Sequence, residues 1–145
     1  MRITTEWLQA QRACRPVIFL FAEEWPDGAE LNVENLVRAA ELGLPWHQII
    51  PRILELERWL EVERIRKGYI KIYCQEMDEI WHPHQELLYH ITRDVSQPAD
   101  QMEKLFNRAL DDYAKAAAEL TKRHETNLAY LLVNAFEQQE RDTHA

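Results

Sequence analysis

Apolar residues recur every three or four positions along most of this chain, the spacing that one buried helix face needs. Thr4 can cap a first helix starting at Thr4 or Thr5, with Ile3 packing on Leu8 across the cap. Pro16 suits the first turn of a second helix, where its missing N–H would have no intrahelical partner. Val17, Ile18, Leu20, Phe21 and Trp25 make that helix apolar nearly all round, which predicts a central position. Pro26-Asp27-Gly28 reads as a turn. Asn32 caps a third helix, Leu31 can staple onto Leu36, and Leu36, Ala39, Ala40 and Leu42 form its stripe. Gly43 ends it in a left-handed cap and Pro45 blocks its resumption. Trp46, Ile49 and Ile50 predict one more helical turn before Pro51.

Residues 52–67 return to helical spacing through Ile53, Leu56, Trp59, Leu60 and Ile65. Gly68 either ends that helix or lies inside a longer one. Residues 69–73 alternate like a strand, but a lone strand has nothing to pair with, so helix is expected. It would run through Met77, Ile80 and Trp81 towards Pro83, and through Leu87, Leu88 and Ile91 to about Arg93. After a loop at residues 96–100, Met102, Phe106, Ala109, Tyr113, Ala117, Leu120, His124, Leu128, Leu131 and Ala135 form one long stripe. An unbroken helix to Gln139 would be roughly 60 Å long, more than a compact domain of this size spans. It should therefore bend near residues 125–127, or pack its far half on a second copy or another protein. Residues 141–145 are expected to be disordered.

Composition narrows the fold class. The 145 residues fit one domain, and three glycines are few for a sheet-rich chain. Together with the helical spacing, this predicts an all-α bundle of about five to seven helices with a long C-terminal helix. Residues 1–50 would form a small subregion, 51–95 the central helices and 96–140 the long helix. The 17 Lys+Arg against 25 Asp+Glu give a formal charge of −8, which argues against binding a nucleic-acid backbone. Arg64, Arg66 and Lys67 fit the C-terminus of a helix ending at Gly68. Cys14 and Cys74 make neither a disulfide framework nor a zinc cluster, and read as buried thiols in a reducing cytoplasm. Residues 16–22 are apolar but too short to cross a membrane.

Residues 3–50 also carry a recognisable pattern: Ile3-Thr4-Thr5-Glu6-Trp7-Leu8, Ala13-Cys14, Phe21, Trp25-Pro26-Asp27-Gly28, Glu34-Asn35-Leu36, Ala39-Ala40, Gly43-Leu44 and Trp46. This resembles a recurring N-terminal segment of uncharacterised bacterial and phage proteins. Pro16 and Val17 depart from residues usually polar there, and Trp25 stands for a usual Phe. Residues 108–116 look like a later helical segment of the same group. The resemblance implies a helical fold and a bacterial or phage origin. It carries no established activity, so no catalytic residue comes with it.

Chemical motifs are sparse. Glu79, His82, Glu86 and His90 are spaced three, four and four apart, so a continuous helix would present them on one face as a metal site. No second Glu-x-x-His accompanies them, and Pro83 interrupts the face. The competing reading is a solvated helix face. Ser96, the lone serine, sits in a loop with no nucleophile elbow around it. Cys74 with His82 or His90 is conceivable for thiol chemistry, but Cys74 lies in an apolar stretch. Three separated glycines exclude phosphate-binding loops. Catalysis is thus disfavoured and no cofactor is expected. Glu55, Glu57, Glu61 and Glu63 around Trp59 form either an ordinary charged helix face or, with Trp81, an acidic aromatic surface for a protein partner. The leading expectation is a small acidic helical protein–protein interaction module. One version is an inhibitor that occludes a host complex, as anti-CRISPR proteins do. The alternatives are a self-assembling helical protein, dimerising through the C-terminal helix, and a metal- or small-ligand-binding bundle.

Overall fold

A computed structural model describes the chain from Met1 to Ala145, apart from the side chains of Ile50 and Pro51. The fold is all-α with a long C-terminal helix. In chain order it comprises β1 (Arg2–Ile3), α1 (Thr5–Ala10), α2 (Arg15–Glu24), β2 (Ala29–Glu30), α3 (Val33–Glu41) and α4 (Trp46–Ile49). A 3-10 turn (Ile50–Ile53) then leads into α5 (Leu56–Arg93) and α6 (Ala99–His144). The chain forms two compact units. The first joins Met1–Lys67 to Glu125–Ala145, and the second is Gly68–His124.

Local chemistry sets the ends of the short elements in the first unit. The Thr4 hydroxyl accepts from the Trp7 N–H at 3.1 Å, and the Asn32 side chain accepts from the Asn35 N–H at 2.8 Å. Both groups would otherwise be orphaned in a first turn. At the end of α3 the Leu44 N–H reaches the Ala39 carbonyl and the Gly43 N–H reaches the Ala40 carbonyl, both at 2.9 Å. This paired closure needs a left-handed residue, and Gly43 supplies it at φ +73°. β1 and β2 pair antiparallel, with Arg2 opposite Glu30 and Ile3 opposite Ala29. Gly28 makes that approach possible, since a Cβ there would stand 2.7 Å from the Ile3 carbonyl oxygen.

The core of the first unit draws on Ile3, Leu8, Phe21, Leu36, Trp46 and Val62, together with Leu128, Ala129, Leu132 and Val133 of α6. Gln139 fastens α6 to the entry of α5. Its side-chain carbonyl accepts from the Glu55 N–H at 2.7 Å, and its amide donates to the Ile53 carbonyl at 2.8 Å. Arg58 adds an ion pair to Asp142 at 2.6 Å.

The second unit is an antiparallel hairpin of the distal part of α5 and the proximal part of α6. Tyr73 meets His124 and His84 meets Tyr113, so rising numbers on one helix face falling numbers on the other, and Glu76 pairs with Arg123 between the two helices. Asp94 organises the connecting turn by accepting from both the N–H and the hydroxyl of Ser96.

Several expectations are corrected. α2 is not central: Phe21 is buried, but Phe19 and Leu20 face solvent, because α2 is covered on one side alone. Gly68 lies inside α5, so Arg64, Arg66 and Lys67 do not cap a helix end; Arg64 and Arg66 pair with Glu61 and Glu63. Cys14 and Cys74 are both exposed. α6 runs for 46 residues and stays helical to His144, so residues 141–144 are helical where disorder was expected.

Candidate functional site

Two features of the described residues offer more than packing. The first is the hairpin seam. Tyr73 stacks on His124 with ring centroids 4.4 Å apart, and His84 stacks on Tyr113 at the same 4.4 Å. Trp81 closes on this second pair, 5.8 Å from His84 and 5.3 Å from Tyr113. His84 is the one buried polar or charged side chain among the described residues. Ring stacking gives its imidazole apolar neighbours above and edge-on.

Uncharged side chains recur along one side of each helix of this seam. Cys74, Trp81 and Leu88 are spaced by sevens on α5, and Leu110, Ala114, Ala117 and Thr121 by fours and threes on α6. Such spacings return to the same side of a helix, and antiparallel pairing sets the two strips side by side. Cys74, Trp81, Leu110 and Ala114 are solvent-exposed. The Glu76–Arg123 ion pair, at 3.0 Å, belongs to the opposite flank.

The second feature is a partly open apolar recess of about 60 Å³ in the first unit. Trp7 of α1, Phe21 of α2, Trp25, and Trp46 of α4 form its aromatic walls, and Phe21 lies 5.2 Å from Trp25. Ala29 and Ala39 complete the lining where larger side chains would fill the space.

The candidate metal residues do not form a site. Glu79, His82, Glu86 and His90 lie exposed on one side of α5, which is continuous through Pro83. Their eleven-residue reach extends about 16 Å along the axis, so the side chains fan out rather than converge. Among the described residues, no three His, Cys, Asp or Glu side chains come together to hold a metal ion.

The candidate acidic surface is largely neutralised. Glu61 pairs with Arg64 at 2.6 Å and Glu63 with Arg66 at 2.7 Å. Each arginine's hydrogen bonds hold its partner carboxyl below the ordinary value of 4.5. Trp59 is half-buried against Trp46, Val62, Leu128 and Leu132, so it serves the core. Glu55 contributes its backbone N–H to Gln139, and Glu57 is exposed. Trp81 belongs to the hairpin, apart from the other five. Of the α6 stripe, Ala109 and Leu120 are buried within the hairpin and Leu128 within the first unit, while the other stripe residues keep partial exposure.

The seam itself has a sequence signal. Tyr73 precedes His84, and Tyr113 precedes His124, by the same three helical turns. Antiparallel pairing of two such helices brings each tyrosine onto the other helix's histidine. The recess has no comparable signal, because its lining comes from every element between Ile3 and Ile49. No helix is long and apolar enough to cross a membrane. No family model, curated protein or solved structure matches the chain.

Proposed function

We propose that this chain is a helical protein–protein interaction module of phage or bacterial origin, and that the hairpin Gly68–His124 is the arm that meets the partner. The observation that carries this reading is the poor burial within the hairpin. His84, Ala109 and Leu120 are its buried residues, while Ile72, Trp81, Leu87, Tyr89, Leu105 and Leu110 remain exposed. Two paired helices have too few faces to cover their own apolar side chains, and exposed apolar surface is the usual mark of a contact surface. The exposed apolar side chains of Trp81 and Leu110 suit an apolar strip on another protein. Trp81 is the natural anchor, since tryptophans dominate interface energetics. Occlusion of a site on a host complex is the form of activity that needs no catalytic group.

The test is capture from bacterial lysate with tagged full-length protein, comparing the natural chain with a Trp81→Asp/Leu110→Asp variant of matched helicity. A stoichiometric partner that the variant loses supports the reading. Capture of nothing, or equal capture by both, ends it.

A further inference from the structure

We propose that the recess between β1, α1, α2, β2, α3 and α4 is a binding site for a small uncharged apolar molecule. This goes beyond the hairpin reading and stands on the other unit. Protein interiors close-pack, so a space kept open by small residues is a choice of the sequence. Ala29 and Ala39 are both buried in the wall, and a longer aliphatic side chain at either position would extend into the space. The opposite walls are rings, which hold their shape better than flexible aliphatic chains. Trp7, Val17, Trp25, Leu31 and Ile49 are half-exposed and form the mouth through which a ligand would enter.

The chemistry of the lining selects the ligand. Glu30 and Asn35 are the polar residues that reach the recess, and both are engaged elsewhere. The Glu30 carboxylate accepts from Arg2 at 3.2 Å, and the Asn35 amide donates to the Glu30 carbonyl at 2.8 Å. The rest of the lining is apolar, which gives a polar ligand few partners. A charged guest would lose its hydration without compensation. Size sets the other limit. A cavity of roughly 150 Å³ takes benzene, so about 60 Å³ takes an alkyl group of about two or three carbons, with any remainder projecting from the mouth.

The probe is bromoethane, whose heavy atom quenches indole fluorescence on contact. Trp7, Trp25 and Trp46 line the recess and report occupancy, whereas Trp59 and Trp81 contribute collisional quenching. The expected result is a saturable component in the natural protein, released by competing 1-butanol. Ala39→Leu, or Ala29→Val should the first fail to fold, should weaken that component at least tenfold and raise Tm. Quenching that is linear in concentration throughout, insensitive to 1-butanol, or unchanged in a folded filled variant overturns the proposal. The natural-protein titration decides alone if neither variant folds.

Discussion

The two units use helices in opposite ways. The first unit surrounds a shared interior with short capped elements and two segments of long helix. The hairpin has one seam and leaves most of each helix to solvent. Among the described residues, Ala109 and Leu120 are the buried apolar residues of the hairpin, while the first unit holds fourteen, from Ile3 to Val133. Burial of apolar area is the main stabilising contribution to folding. The interior therefore lies in the first unit, and the hairpin holds its helices by aromatic stacking and local hydrogen bonding. A segment with few buried contacts opens locally at low free energy, which suits a surface that must adapt to a partner.

The largest expected effect tests where the core lies. Leu132 is 2% exposed in the first unit, and Leu132→Ala should cost about 3 kcal/mol or more in chemical denaturation. A cost below about 1 kcal/mol would place the stabilising core elsewhere. Pro83→Ala should act in the other direction, on the hairpin. Pro83 lies inside α5, lacks an N–H and crowds the carbonyl four residues earlier, so its removal should stabilise by up to about 3 kcal/mol. Amide hydrogen exchange should then slow across residues 68–124 and little elsewhere. If protection rises equally in both units, they open as one body and the contrast is lost.

Glycines sharpen the comparison further. Gly28→Ala forces a Cβ against the Ile3 carbonyl at φ +86°, and should destabilise the first unit by about 2 kcal/mol. Gly68→Ala meets nothing within 4 Å and lies mid-helix, so it should stabilise by about 1 kcal/mol. Opposite signs in thermal denaturation are the expected outcome; like signs would mean that one of the two backbones differs from this description.

The smallest effect is pH dependence. Hydrogen bonding from Arg38 holds Glu24 below its ordinary 4.5, and Arg66 does the same for Glu63. A carboxyl depressed in the folded state favours folding fully above its unfolded value. That contribution disappears as pH falls through the lower folded value. Acidification from about pH 5 to 3 should therefore lower Tm modestly through the first unit, since both pairs are largely solvated. In Glu24→Gln/Glu63→Gln protein the slope should flatten; an unchanged slope would assign it to other carboxyls.

Legibility in the sequence followed the range of each interaction. Thr4, Asn32 and Gly43 act on neighbours within a few residues, so their roles could be read from residue type alone. α2 was misread because an all-round apolar helix does not say which side will be covered. Gly68 was legible only as two options, a helix end or a place inside a longer helix, and the surrounding chain supplies enough helical contacts to offset one glycine. The Gln139 bridge to residues 53 and 55 spans more than eighty positions, and a lone glutamine announces no partner. Trp59 illustrates a different difficulty. Its charged neighbours allowed either a core or a surface reading, and here they pair along α5 while the indole lines a gap shared with Trp46, Val62, Leu128 and Leu132.

That glutamine bridge also bears on synthesis. Residues 53–55 leave the ribosome long before Gln139 exists, and Leu128, Leu132 and Val133 are equally late. The nascent N-terminal portion must wait, incompletely covered, until α6 returns to it. The hairpin, contiguous in sequence, can pair as soon as residue 124 emerges. Vectorial folding would thus complete the sparsely buried unit first and the well-buried unit last.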